Sequence, residues 1–329
     1  MPNILVVGGA GYIGSHIVKD LCGQNYHVIV YDNLSEGHRE AVTPLQISAD
    51  DFIHGDINDS KALDKVFENN KIDAVMHFAA YAYVGESVVN PEKYYKNNVA
   101  ATINLLSSML KYNVKNIVFS SSCTTYGIPQ YTPIDENHPQ NPISPYGSSK
   151  LMVEKIIADY NKAYGLQFMI FRYFNAAGAH PDGSIGESHK TETHLIPLVL
   201  KTLTGENESI AIFGTDYDTP DGTCVRDYIH VCDLAAAHRI SLEMLFSGNE
   251  SKYINLGNGV GFSVKEIISL CEEITGMKVP AIVTGRRPGD PPFLTASSNY
   301  KKDMPDFTPQ YDIYDIIKTA WRWEKNKKY

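Results

Sequence analysis

Ile4-Leu5-Val6-Val7-Gly8-Gly9-Ala10-Gly11-Tyr12-Ile13-Gly14-Ser15-His16 is the stretch that decides the fold. A short run of β-favouring apolar residues meets glycines spaced G-x-x-G-x-x-G, and a helical pattern follows at once. A dinucleotide-binding βαβ unit opens in this order. The chemistry here needs backbone rather than side chains. Gly8 lets the chain turn sharply, Gly11 lets the main chain approach a pyrophosphate, and Gly14 lets helix and strand pack closely. The phosphates then sit over the positive end of the helix dipole.

A glycine-rich turn between strand and helix often binds nothing, so the next strand matters. His27-Val28-Ile29-Val30-Tyr31 is a second apolar run, and it ends at Asp32. An acid about 20 residues beyond the glycines is placed to hold the ribose hydroxyls of NAD. No arginine follows Asp32 directly to receive the 2′-phosphate of NADP, and Arg39 stands some way off. NAD is therefore the expected cofactor.

The 329 residues suit one large domain or two smaller ones, with ample length for a core. Hydrophobic residues make up 43% and charged residues 20%, the balance of an ordinary globular enzyme. The net charge is −9 with no basic block, which argues against nucleic acid as a partner. No apolar run is long enough to span a bilayer, so no membrane association is expected. The first strand begins almost at Met1, which leaves no room for a signal peptide. The five cysteines are scattered and form no C-x-x-C pair, which suits a reducing cytosol.

Strand patterns at 4–7, 27–31, 72–78, 115–120 and 167–172 alternate with helical patterns near 13–23, 60–70, 92–112 and 146–164. Asn90 reads as an N-cap with Pro91 in the first turn. This alternation predicts an α/β fold, a Rossmann-type doubly wound parallel sheet with helices on both faces. After Asn175 the texture changes to loops rich in Gly, Pro, Asp and His and to shorter elements. Among these is a helix begun by Ser263 with Glu266 three residues on, a capping-box pattern. The expected organisation is a nucleotide-binding domain over 1–174 and a smaller C-terminal α/β substrate domain over 175–329. Segments near 225–260 are expected to return to the first.

Tyr146 and Lys150 are four apart on a predicted helix and so share a face. With 21 tyrosines in the chain, roughly one chance Y-x-x-x-K is expected, and Tyr314 with Lys318 is a second. Context separates them. Ser120-Ser121-Ser122 precedes Tyr146 at the end of a strand pattern, and ligands bind at the carboxyl ends of strands in doubly wound sheets. Tyr314 and Lys318 have no such partner and read as a solvated helix face.

With these residues in view, the chain resembles the short-chain dehydrogenase/reductase superfamily in its extended form. Within it the chain is most similar to the UDP-glucose (UDP-galactose) 4-epimerase family. The carrying segments run the whole length: GGAGYIGSH (8–16), DNLSEG (32–37), GDI (55–57), HFAA (77–80), YYKNNV (94–99), FSSSCTTYG (119–127), SPYGSSK (144–150), RYFNAAGAHP (172–181), GTCVRDYIHV (222–231), NLGNG (255–259) and RRPGD (286–290).

The resemblance implies an NAD-dependent isomerase. Tyr146 takes the proton of the sugar 4-hydroxyl, Ser122 holds or relays it, and hydride passes from C4 to NAD⁺ and back to the other face of the turned 4-keto sugar. Free tyrosine titrates near ~10, too high for a base at neutral pH. A lysine charge about ~6 Å away at an effective dielectric near ~20 accounts for only about two pKa units, so the positive nicotinamide ring is expected to supply the rest.

The resemblance also implies a cofactor set of Gly8, Gly11, Tyr12, Ile13, Gly14, Asp32, Asn33, Asp56, Ile57, Phe78, Ala79, Ala80, Asn97, Ser120, Tyr146, Lys150 and Tyr173. On the UDP-sugar side it implies Ser122, Thr124, Tyr146, Asn175, His194, Leu195, Ala211, Phe213, Arg226, Tyr228, Arg287, Asp290 and Leu294. Arg226 and Arg287 suit a diphosphate, because guanidinium pairs with it bidentately. Leu294, four residues past Asp290, stands where a bulky Tyr in related epimerases goes with rejection of an N-acetyl group at C2. UDP-glucose and UDP-galactose are thus the expected main pair, with some action on their N-acetylated counterparts. Two departures are Ala82, where some members carry Lys, and His194, where some carry Asn.

No metal is expected. His230, Cys232 and Asp233 lack a second cluster, and Asp233 reads better as an N-cap of the helix through His238. His180, His189 and His194 read as loop and substrate contacts. Cys123 lacks a histidine partner for nucleophilic catalysis. Related 4,6-dehydratases place an acid just after the Ser/Thr; Ser122-Cys123-Thr124-Thr125-Tyr126 has none. A non-catalytic NAD-sensing protein usually loses the Tyr or the Lys, and both are present here. The helices at 92–112 and 146–164 are expected, on the resemblance, to pair in a homodimer through a four-helix bundle.

Overall fold

In the computed structural model every residue is described except Gln46, Pro288, Ser298 and Asn299. The chain clusters into two units. Unit 1 comprises Met1–Gly127, Gln140–Arg172 and Ala235–Ile254, and unit 2 comprises Ile128–Pro139, Tyr173–Leu234 and Asn255–Tyr329.

The strands are β1 (Asn3–Val7), β2 (His27–Asp32), β3 (Phe52–His54), β4 (Ala74–His77), β5 (Asn116–Ser122), β6 (Gln167–Tyr173), β7 (Asn175–Ala177), β8 (Ile210–Phe213), β9 (Val225–His230), β10 (Lys252–Leu256), β11 (Gly261–Ser263), β12 (Ala281–Thr284) and β13 (Phe293–Leu294). The helices are α1 (Tyr12–Cys22), α2 (Ser60–Asn69), α3 (Val84–Val89), α4 (Pro91–Tyr94), α5 (Ala101–Lys111), α6 (Pro145–Tyr164), α7 (Leu195–Leu203), α8 (Val231–Phe246), α9 (Val264–Thr275), α10 (Tyr300–Asp303) and α11 (Ile313–Lys325).

Unit 1 is built on a seven-stranded sheet in the order β10-β6-β5-β4-β1-β2-β3. β1 pairs in parallel with β2 and β4, so that Leu5 sits between Ile29 and Val75. Its unbroken apolar run reflects burial on both faces. Leu5 and Val7 join a core with Leu63 and Phe67 of α2 and Leu105 and Met109 of α5. Ile4 and Val6 are equally buried on the opposite face, where Val18 of α1 approaches Gly9 beside Val6 and Val30. The doubly wound parallel sheet is thus present.

The single helix expected over 92–112 is broken. α4 gives way to a π-helical stretch, Tyr95–Ala100, before α5 resumes regular turns. Pro91 opens α4 as expected, but the Asn90 side chain makes no cap bond.

In unit 2, β9 is flanked by β11 and β13 and also pairs with β7, while β8 and β12 form a separate parallel pair. Ile196 and Leu200 of α7, Ile267 and Cys271 of α9 and Ile316 and Ile317 of α11 share one core. Ser263 and Glu266 form the expected reciprocal capping box. Asp233 lies inside the first turn of α8 rather than at its cap. Its carboxylate instead accepts from the Gln310 and Tyr311 amides at 2.9 and 3.2 Å. Among the described residues no helix is long and apolar enough to cross a membrane.

Candidate active site

The glycine turn between β1 and α1 borders a cleft in unit 1. Gly8, Gly11, Asp32, Asn33, Ile57, Phe78, Ala79, Ala80 and Asn97 of the expected cofactor set line it. Gly8 has φ +83°, and a Cβ there would stand 2.5 Å from the Ala79 nitrogen. A Cβ on Gly14 would stand 2.1 Å from the Gly8 carbonyl oxygen. Only glycine permits this turn. Tyr12, Ile13 and Gly14 form the first turn of α1, with Gly11 as its cap in extended conformation.

Asp32 is held by backbone. Its Oδ2 accepts from the Ala10 amide at 2.9 Å and its Oδ1 from the Leu34 amide at 2.8 Å. Burial pushes the carboxyl above its usual range, against the pull of those two amides. Asp56 accepts from Asn33 Nδ2 at 2.8 Å and from the Asn58 amide at 2.8 Å. Side-chain-free backbone of Gly8 and Gly11 at the cleft and a fixed carboxylate at the end of β2 fit an adenine dinucleotide.

β5 carries Ser120 and Ser122, and α6 carries Tyr146 and Lys150. The start of α6 is fixed by Ser144, whose Oγ accepts from the Gly147 amide at 3.1 Å, and by Pro145 in the first turn. A Cβ on Gly147 would stand 2.6 Å from the Thr124 carbonyl oxygen, so the helix start presses on the turn that follows Ser122. Tyr146 is therefore in the first helical turn, where the partial positive charge favours an anion. Ser122 Oγ accepts from the Thr124 amide at 3.2 Å and the Thr124 hydroxyl at 3.0 Å. Lys150 Nζ donates to the Ser120 carbonyl at 2.7 Å and lies 5.9 Å from the centre of the Tyr146 ring.

Burial pushes Tyr146 up to about 12, against a Ser122 hydrogen bond that pulls it down. Burial likewise pushes Lys150 down to about 7, against the pull of Glu154. In the chain alone burial outweighs any pull of the lysine on the tyrosine. Both groups resist charge because both are dry.

Unit 2 gathers a second set. Arg226 of β9 pairs through Nη2 with Asp290 Oδ1, and Leu294 stands beside it in parallel register. Arg287 lies over the Phe213 ring at 4.0 Å from its centre. Asn175 donates through Nδ2 to the Asp227 carbonyl at 2.7 Å and pairs with Tyr228, whose phenol is buried and pushed above its usual value. Ala211 and Phe213 lie on β8 and Leu195 begins α7. Tyr173 ends β6 and clusters with unit 2.

The histidines divide. His230 accepts from the Cys232 amide at 3.0 Å, contacts Thr319 Oγ1 at 3.0 Å and stacks on Tyr311 at 4.1 Å, a packing role. His180 pairs with Asp182 at 2.8 Å. His189 and His194 share Glu187 and Glu192. Burial pushes both imidazoles down, and the two carboxylates outweigh it, holding His189 up at about 9 and His194 at about 10.

Sequence reasoning missed several neighbours. Tyr31, Ser35, Glu36, Gly37, Gly55 and Tyr81 also line the cleft; the G of DNLSEG was the available signal for Gly37. Asn98, in the π-helical stretch, donates to the Tyr81 carbonyl at 3.0 Å and to Ser149 Oγ at 3.1 Å. Glu154, one turn past Lys150, is buried against Arg172 at 2.7 Å.

The NAD dependent epimerase/dehydratase family model matches residues 4–257. A UDP-glucose 4-epimerase of Halalkalibacterium halodurans is 50% identical over 98% of this chain and 95% of its own length. The crystal structure of UDP-glucose 4-epimerase from Brucella ovis in complex with NAD superposes with a TM-score of 0.93 at 48% identity, covering 98% of each chain. The enzyme from Stenotrophomonas maltophila, with bound NAD and formylated UDP-arabinopyranose, gives a TM-score of 0.94 at 37% identity, over 99% of this chain and 98% of that one.

Proposed function

The chain belongs to the NAD dependent epimerase/dehydratase family, and we infer from that kinship that it is an NAD-dependent isomerase inverting C4 of UDP-glucose and UDP-galactose. One observation carries the reading. Ser122 and Lys150 converge on Tyr146 at the carboxyl end of β5, in the unit whose glycine turn borders the cleft.

Gly8, Gly11, Asp32, Asn33, Phe78 and Ala79 would hold NAD, with Asp32 on the ribose hydroxyls. NAD bound there would supply the hydride acceptor for the sugar C4 and the donor that restores it. Tyr146 Oη takes the proton of the 4-hydroxyl and later returns it, so the bonds broken at C4–H and O–H are both remade. No external oxidant or reductant is consumed. Ser122 orients that hydroxyl and passes the proton. Lys150, anchored to β5, favours the phenolate when it carries its charge. A cation beside Tyr146 has a strong effect because the site is dry. Arg226 and Arg287 pair with the diphosphate, a reading supported by their place in the unit 2 set beside Phe213 and Leu294.

We further read the protein as a cytosolic homodimer. Val88 and Val89 of α3, Ile103 of α5 and Met152 and Tyr164 of α6 leave apolar surface exposed, Val89 at 82%. That is surface a second copy would cover. All five cysteines are free.

Purified protein incubated with UDP-galactose and no added NAD tests the function. UDP-glucose should form. Unchanged substrate, or a 4-keto-6-deoxy sugar of the dehydratase kind, would refute it.

A further inference from the structure

Glu187-Ser188-His189-Lys190-Thr191-Glu192-Thr193-His194 leads into α7 of unit 2. One donor atom from each of Glu187, His189, Glu192 and His194 lies within 4.8 Å of all the others. His189 Nδ1 stands 3.2 Å from Glu187 Oε1 and 3.3 Å from Glu192 Oε2. His194 Nδ1 stands 3.0 Å from Glu187 Oε1 and 2.9 Å from Glu192 Oε1. Bonds of about 2.0–2.1 Å to a tetrahedral ion put neighbouring donors roughly 3.3–3.4 Å apart. These four separations lie at or just under that spacing, with Glu192 reached through both of its oxygens, and one donor atom per residue stays within 4.8 Å of every other.

We propose that Glu187, His189, Glu192 and His194 bind one divalent cation of the zinc class in a closed tetrahedral site. Two imidazoles and two carboxylates are the donor set a borderline first-row ion takes, and the charges sum to zero. The carboxylates are 7% and 5% exposed and share the cluster. Two buried anions this close require positive charge between them. A cation at the common centre meets all four lone pairs.

The surroundings are rigid enough for a built site. Glu192 Oε1 accepts from the Thr193 and His194 amides at 2.7 and 2.8 Å. Trp323 Nε1 donates to the Glu187 carbonyl at 2.8 Å, and Ser188 Oγ donates to the Tyr329 carbonyl at 2.9 Å. Such outer partners fix ligand orientation. With no open position the ion is a structural clip, tying the loop to the N-terminus of α7 just before Leu195. His194 enters the site through Nδ1, which leaves its Nε2 for the sugar-side contact expected of it, so this reading does not depend on the epimerase assignment.

Elemental analysis of the full-length protein, purified without chelator or metal-affinity resin, should find one zinc per chain. After chelation, zinc added back should rebind one to one and raise the melting temperature. Cobalt in its place should show the visible absorption of a tetrahedral ion. His189→Ala and Glu192→Gln should lower affinity by more than the roughly 10–100-fold that losing an outer partner costs. Retained NAD in each variant verifies folding. If the isolated wild type holds no metal and the chelated protein neither binds zinc nor gains stability from it, the site does not exist. Zinc held equally well by both variants would also overturn it.

Discussion

Lys150 Nζ donates to the Ser120 carbonyl at 2.7 Å, so the lysine beneath Tyr146 is anchored to the strand that carries Ser122. Helix and strand therefore hold the three groups as one rigid set, and each can be perturbed in a defined direction.

The Lys150 value near 7 lies below the ordinary 10.5. The fold thus prefers the neutral amine, and the charged form costs stability. That cost is fully present below about pH 7 and fades as pH rises toward 10.5, where the unfolded chain also loses its proton. Lys150→Met removes it. In protein stripped of nucleotide, the variant should melt higher relative to wild type at pH 6 than at pH 10. A pH-independent difference would count against the burial effect.

Arg172 and Glu154 are 4% and 2% exposed and share two-pronged hydrogen bonds. Glu154→Ala leaves a guanidinium buried without its counter-charge and should cost about 3–5 kcal/mol. Urea unfolding of the holoenzyme measures it. A loss under about 1 kcal/mol would mean that water reaches the arginine.

Asp32 offers two oxygens already fixed by backbone amides and repels a 2′-phosphate. Protein denatured after purification should release NAD⁺ or NADH, and mostly NADP in that extract would overturn the reading of Asp32.

Leu294 is half-buried beside Arg226 in register and carries no phenol ring. Wild-type protein should act measurably on UDP-N-acetylglucosamine, and Leu294→Tyr should suppress that activity while sparing the plain hexoses. A well-packed wall admits extra heavy atoms only at a strain of ~1–3 kcal/mol, which is up to about a hundredfold in rate. No conversion of acetylated sugar at high enzyme concentration would show that the wall is already closed.

The sheet was legible because its strands announce themselves locally. The apolar run at 4–7 and the glycines after it depend on nothing distant. Tyr146 and Lys150 were legible for the same reason, since four residues on a helix set a shared face. What escaped depends on partners far along the chain. Nothing near Phe52 marks β3 as a strand, because three residues carry no period. The π-helical stretch at Tyr95–Ala100 has an ordinary helical sequence, and Asn98 sits there to meet Ser149 and the chain at Tyr81. Glu154 reads as one more surface acid until Arg172 is placed against it. Ile128–Pro139 clusters with unit 2 through pairings such as Ile134 with Thr295, which no local pattern records. The gathering of Glu187 with His194 needs a loop that folds back on itself.

Tyr146→Phe puts the account to its most direct test. The substitution keeps the ring and its packing and removes only the oxygen that handles the proton. Purified Tyr146→Phe should bind NAD as the wild type does and convert UDP-galactose at least about a thousandfold more slowly, roughly 4 kcal/mol of barrier. A variant that epimerises at the wild-type rate with NAD bound would contradict the assignment of Tyr146.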